Sequence, residues 1–297
     1  PLRAQEPAAD QGEALSVWVD LDAMRQGSVG ARLISAAKQL VENEIARKGK
    51  GEITLEKIGE TLGFDPFEDL QAVTFGIVRP GSPEKGMQLT LQLRETTGNI
   101  EGLLLALPEY DSEEKGALTV HSFQLPDKPS LRVYATFVDG PRGSKRIVAS
   151  LDEEALSPAV ENDPRTAGAS SAETFAHVQL NRLDGLKIGK GPQQNIAKLV
   201  TRIAFDAEEP GDEFALKLTM EASSDRQAEQ LQQLAQGMLA MVNLAKDMED
   251  ADKEVKLLAK VLNKSSVTRE GSQVALSLRV ASDMVIEFLR KEARLPL

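Results

Sequence analysis

His121 and His177 are the only two imidazoles in the chain, so a general base that titrates near neutral pH has two candidates. Each sits in a strand-like pattern beside apolar neighbours, which reads as a half-buried sheet histidine rather than a base facing a substrate. A serine nucleophile needs the Gly-x-Ser-x-Gly elbow; Gly27-Ser28-Val29-Gly30 and Gly168-Ala169-Ser170 both miss that spacing. Gly189-Lys190-Gly191-Pro192 lacks the phosphate-loop frame, and its proline removes an amide that would cradle an anion. The run Asp247-Met248-Glu249-Asp250-Ala251-Asp252 lacks the central glycine and distal glutamate of a calcium loop, so it reads as a solvated helix face. Met238, Met241 and Met248 have the soft, adaptable side chains of a binding groove, although core packing against a sheet is the expectation for them. Phe64 and Phe67 form either a groove lip or, as expected, pins for a helix-to-strand connection. No residue is therefore assigned a catalytic, cofactor-binding or metal-binding role, and no cofactor is expected.

Composition narrows the classes further. The 297 residues include no cysteine, one tryptophan and 4% aromatic residues, and carry a net charge of -11. Without thiols there is no disulfide framework, thiolate metal site or cysteine nucleophile. An acidic balance opposes binding to nucleic acid, whose phosphates are met mainly by Lys and Arg. The longest apolar runs, such as Ile100 to Leu107, fall short of the ~20 residues that span a bilayer. The polar, Ala-rich stretch 1–13 begins with Pro1 and reads as an extended tail left by a cut export signal, which predicts an exported, periplasmic or envelope protein.

The elements that would position any site repeat in order. Val19-Asp20-Leu21-Asp22-Ala23-Met24 is echoed by Val178-Gln179-Leu180-Asn181-Arg182-Leu183, each a strand ending in a capping Asp or Asn. Val73-Thr74-Phe75-Gly76-Ile77 and the alternating Leu89-Thr90-Leu91-Gln92-Leu93 correspond to Ile203-Ala204-Phe205 and Phe214-Ala215-Leu216-Lys217-Leu218. A second hairpin is expected in each half: Leu131-Arg132-Val133 with Val148-Ala149-Ser150, and Val274 to Leu278 with Val280-Ala281-Ser282. In both, the Val-Ala-Ser opens a helix that the serine caps. The first half adds a helix over 29–45, a Lys/Gly loop over 47–51 and a short helix over 55–62 closed by Gly63. The second shortens that region to 195–199 and lengthens a later helical segment, 225–262. It opens with the capping box Ser224-Asp225-Arg226-Gln227 and bends near 248–252.

Within the strands, Leu89, Leu91 and Leu93 alternate with Thr90, Gln92 and Arg94, while Phe214, Leu216 and Leu218 alternate with Ala215, Lys217 and Thr219. One apolar and one wet face predict an α+β fold of two diverged repeats, each a mostly antiparallel sheet with helices on one face. The expected units are a tail at 1–13, a first repeat at 14–168 and a second at 169–297. The Leu231, Ala235, Met238 and Val242 stripe is expected to pack on Leu216, Leu218, Leu276 and Leu278.

The series Val19 to Met24, Leu62-Gly63-Phe64-Asp65-Pro66 leading to Asp69-Leu70-Gln71-Ala72-Val73, and the closing Val-Ala-Ser helix resembles uncharacterised exported α+β repeat proteins of planctomycete-type bacteria. The resemblance covers most of the chain, implies export and no enzyme, and carries over no functional residue.

These readings favour a non-enzymatic exported or envelope protein that is structural or binds a protein partner, with no nucleic acid and no transmembrane segment. One alternative is a small-molecule or lipid carrier with an apolar pocket between sheet and helices. Another is a hydrolase built on carboxylates alone.

Overall fold

Residues 14–48, 54–78, 86–94, 100–125, 128–140, 144–156, 160, 173–181, 199–246 and 262–291 are described by the structure, a computed structural model. The fold is α+β, with a mostly antiparallel sheet. Strand β1 (Leu15–Asp20) leads into helices α1 (Leu21–Gln26), α2 (Ser28–Lys48) and α3 (Leu55–Leu62). Strands β2 (Leu70–Ile77) and β3 (Met87–Leu93) follow, then the short α4 (Ile100–Leu104) and strands β4 (Asp111–Lys115), β5 (Leu118–Leu125), β6 (Lys128–Asp139) and β7 (Lys145–Ser150). The later part runs β8 (Thr174–Asn181), β9 (Val200–Glu208), β10 (Glu213–Ala222), α5 (Asp225–Lys246), β11 (Ser265–Glu270), β12 (Gln273–Ala281) and α6 (Ser282–Lys291).

All twelve strands join one sheet, in the order β11-β12-β10-β9-β8-β1-β2-β3-β7-β6-β5-β4. β1 and β8 pair antiparallel at its middle, so strands of the two expected units form a continuous surface rather than two sheets. The proposed boundary at 168/169 lies outside the described residues, as do the tail 1–13, residues 49–51 and the segment 247–252. Gly189-Lys190-Gly191-Pro192 and Met248 fall outside them as well.

Cross-strand register sorts the side chains into faces, because directly opposed residues share one face and the next row takes the other. One row reads Leu91, Val73, Val19, Ala176, Ala207, Leu216, Leu278 across seven strands. Two residues along, Leu89, Phe75, Val17, Val178, Phe205, Leu218 and Leu276 form a second apolar row on that face. Helices α1, α2 and α6 cover one end of it through Met24, Val29, Leu33, Met284 and Leu289. Helix α5 covers the other end, where Ala228 and Leu231 pack with Val200, Ala222 and Val274.

The row between them, Thr90, Thr74, Trp18, His177, Asp206, Lys217 and Ser277, takes the opposite face. The expectation of a wet second face is corrected here. Thr90, Trp18, His177 and Asp206 are buried, and only the outlying Lys217 is exposed. Joining the strands into one wide sheet places β1 and β8 at its centre, remote from both edges. Around β7 this second face is capped by Leu156, which packs with Val120, Val148 and Val160.

Local signals explain most helix ends. Thr54 accepts from the Lys57 amide at the start of α3, and Gly63, at φ 72°, closes that helix in the left-handed region. Gln227 donates its backbone amide to Ser224 Oγ, the N-cap half of the capping box, and Gln227 Oε1 accepts from the Ser224 hydroxyl. The paired Val-Ala-Ser motifs do not hold up as equivalent helix openers. Ser150 Oγ donates to the Met87 carbonyl and accepts from Asp152 N; Asp152 caps a single 3-10 turn, Glu153–Ala155. Val148 faces the second side of the sheet, whereas Val280 belongs to the helix-covered core. Val274 to Val280 is moreover one strand, and its hairpin partner is β11, through a turn at Gly271.

Candidate functional site

Helix α5 changes character along its length. Leu231 is 2% exposed and Ala228 is fully covered, so the first turns bury a narrow seam on β9, β10 and β12. Farther along, Leu234, Met238, Met241 and Leu244 expose 42, 52, 65 and 71% of their surface. The expected packing of Met238 on Leu216, Leu218, Leu276 and Leu278 is therefore corrected. Leu216 and Leu278 belong to the core under α2 and α6, and Met238 and Met241 lie open. Their spacings of four, three and three residues place all four side chains on one stripe, and Met238, seven residues after Leu231, continues the line of the buried seam. Between Glu229 and Lys246 the helix has no charged residue, and besides the stripe that span holds only Gln, Ala, Gly, Asn, Leu and Val. An exposed and uncharged apolar stripe of this kind marks a contact surface. Helix α2 also exposes Leu40 and Val41, but Lys38, Glu42 and Glu44 break that patch.

Both histidines are buried inside the sheet. His177 Nδ1 lies 2.6 Å from Asp206 Oδ1, and the two residues are 5% and 3% exposed. A carboxylate that orients an imidazole is half of a hydrolytic triad, but here the other ring nitrogen, Nε2, is buried without a partner. His121 Nδ1 sits 3.0 Å from the Tyr110 hydroxyl, with Phe137 edge-on to its ring. Burial lowers its pKa, against a smaller opposing pull from Glu101, so the ring is neutral at pH 7. Asp206 was not singled out in the sequence; its signal is a lone carboxylate in the strand Ile203-Ala204-Phe205-Asp206-Ala207.

Glu209, in the connection between β9 and β10, is a second carboxylate with a dense set of partners. Its Oε1 accepts from Val29 N at 2.9 Å, Ser28 Oγ at 2.9 Å and Ser282 Oγ at 2.8 Å, and its Oε2 from Gly30 N at 3.1 Å. It occupies the N-terminal end of α2, where a negative charge is favoured, and ties that helix to α6. Partial burial pushes the carboxyl up, but the Val29 and Gly30 amides and the two serine hydroxyls outweigh it and hold it below the ordinary value.

Asp22 gathers Arg25, Gln71 and Arg94, at 2.7, 3.0 and 2.5 Å. Arg25 also donates to the carbonyls of Phe67 and Leu70, so it is the backbone of the Phe64 to Leu70 connection that is pinned.

At the β4–β6 end of the sheet a polar groove of about 210 Å³ is lined by Asp111, Glu113, Ser122, Arg132, Tyr134 and Glu153. Lys115 pairs with both Glu113 and Glu153, so the groove is close to charge-balanced. Among the described residues no three His, Asp or Glu side chains converge as a metal ligand set, and no helix is long and apolar enough to cross a membrane.

The sequence matches no family model and no curated protein. Solved structures similar to the chain include crystal forms I, III and IV of TP0453, at 9, 10 and 11% identity and TM-scores of 0.40, 0.42 and 0.44. Each alignment covers 93 or 94% of this chain and 93% of the other. Likeness of that degree carries no argument about what this chain binds.

Proposed function

We propose that the chain is a non-enzymatic binding protein of the exported or envelope class, which docks a protein partner on the open face of α5. The observation that carries this reading is the Leu234, Met238, Met241 and Leu244 stripe, exposed beyond a seam that already packs on the sheet. Neither alternative has comparable support among the described residues. The groove at β4–β6 is polar, unlike the apolar pocket a carrier needs, and its carboxylates Glu113 and Glu153 share Lys115. Export, and the resemblance to planctomycete-type exported repeats, rest on the sequence.

We also infer that the chain is a diverged tandem duplication. Outward from the central pair, β1-β2-β3-β7-β6 and β8-β9-β10-β12-β11 have the same connectivity once β4 and β5 are treated as an insertion. A two-fold axis through the Trp18 and His177 pair exchanges Val17 with Ala176 and Val19 with Val178, in agreement with the first sequence echo. It makes Thr74 equivalent to Asp206 and Leu89 to Leu216, so the hairpin echoes above are displaced by two residues and keep their faces.

The docking reading is tested by native affinity purification from the source organism, with the parent and a Met238→Gln/Met241→Gln variant compared by quantitative mass spectrometry. A protein retained by the parent and lost with the variant is the expected result. Identical profiles, at equal folding stability, would reject the stripe as a docking face.

A further inference from the structure

We propose that the occupant of the α5 stripe is a second copy of this chain, packed antiparallel to the first. The inference rests on the docking reading above and names its partner. A two-fold contact uses the same patch on both copies, so that patch must be complementary to itself. The stripe meets this condition. Leu234, Met238, Met241 and Leu244 read as Leu, Met, Met, Leu in both directions. Antiparallel packing with Leu234 opposite Leu244 of the second copy brings Met238 within one residue of the level of Met241 of the second copy.

Charge points the same way. With a net charge of -11, two copies repel over most of their surface, and close approach is cheapest where charge is absent. Residues 230–245 of α5 form such a segment. A parallel pair would oppose Asp225 and Glu229 to their own copies and align the helix dipoles unfavourably. An antiparallel pair avoids both penalties.

Space is available as well. Gly237 lies beside the stripe, and a Cβ placed on it would meet nothing within 4 Å. In the antiparallel register Met241 of the second copy reaches that opening, a flexible side chain entering a hole between Leu234 and Met241. A lipid surface is the poorer fit, since helices that lie on membranes carry Lys and Arg along the polar face, and this segment has neither between Arg226 and Lys246.

The absence of cysteine makes the test direct, because any introduced thiol is the only one. Leu234→Cys and Leu244→Cys proteins are oxidised separately and as a mixture, beside sedimentation of the parent and of Met241→Glu. The proposal expects a concentration-dependent dimer for the parent and a monomer with an unchanged urea midpoint for Met241→Glu. It further expects disulfide dimers that form several-fold faster in the mixture than in either variant alone. A parent that stays monomeric at all attainable concentrations overturns it. So does Leu234→Cys alone cross-linking as fast as the mixture, which is the parallel outcome, or a Met241→Glu variant that dimerises like the parent. A monomeric parent that still captures another protein through the stripe removes self-association and leaves the docking reading standing; loss of both removes both.

Discussion

Trp18 and His177 stand directly opposite each other across the β1/β8 pair, both buried, and each keeps one ring nitrogen, Nε1 and Nε2 respectively, without a hydrogen-bond partner. Only the far side of the imidazole is satisfied, by Asp206 on the next strand. The centre of a twelve-stranded sheet thus holds a polar row where an apolar one would pack more simply.

Removing Asp206 should expose how much that row contributes. Asp206→Ala leaves a buried imidazole with no partner on either nitrogen, and a loss of about 1–3 kcal/mol is expected from urea unfolding. Trp18 is the sole tryptophan, so its emission reports this site alone, and it should shift to longer wavelength in the variant. A loss below about 1 kcal/mol would show the pair to be incidental.

Glu209 makes stability depend on acid. Its carboxyl is depressed below the ordinary 4.5 by the α2 amides and the hydroxyls of Ser28 and Ser282. A depressed folded value contributes stability that is complete above the unfolded value and lost as pH falls through the folded one. Glu209→Gln should therefore unfold at lower urea than the parent at neutral pH, by about 0.5–2 kcal/mol, with the gap closing as pH falls below 4.5. A gap that is constant from neutral to acid pH would remove the charge from the explanation.

Gly30 lets α1 and α2 cross closely. A Cβ there would lie 2.7 Å from Met24 Cα, a backbone atom that cannot swing aside. Gly30→Ala should cost about 1–3 kcal/mol by thermal or chemical unfolding. Gly237→Ala, in the open middle of α5, should instead raise stability by about 0.5–1 kcal/mol in dilute solution, where copies are apart. A loss at Gly237 would mean that the chain itself covers this face.

Local chemistry was readable from the sequence and long-range pairing was not. Thr54, Gly63 and Ser224 announce helix ends because a cap acts within one turn. The alternation of Leu89 to Leu93 and of Phe214 to Leu218 gave the strands and their apolar face. It could not give the burial of Thr90 and Asp206 on the other face, since alternation reports which residues share a face and not what packs on it. Strand β4, Asp-Ser-Glu-Glu-Lys, went unread because a fully exposed edge strand needs no apolar residue. The spacing of Leu231, Ala235, Met238 and Val242 is that of a packed helix, so Met238 reads as core. Periodicity identifies an apolar face and leaves open whether the same chain supplies the surface that covers it.

Leu231 and Met241 stand in the packed and the open part of α5, and the comparison of Leu231→Ala with Met241→Ala is the most direct test of that difference. Urea unfolding of the two variants, at concentrations low enough to keep copies apart, should show a loss of about 2–5 kcal/mol for Leu231→Ala, which empties a packed site. Met241→Ala should change stability by less than about 0.5 kcal/mol, because its side chain touches mostly solvent. A Met241→Ala loss as large as that of Leu231→Ala would contradict the account, for it would place the stripe in the core of the folded chain.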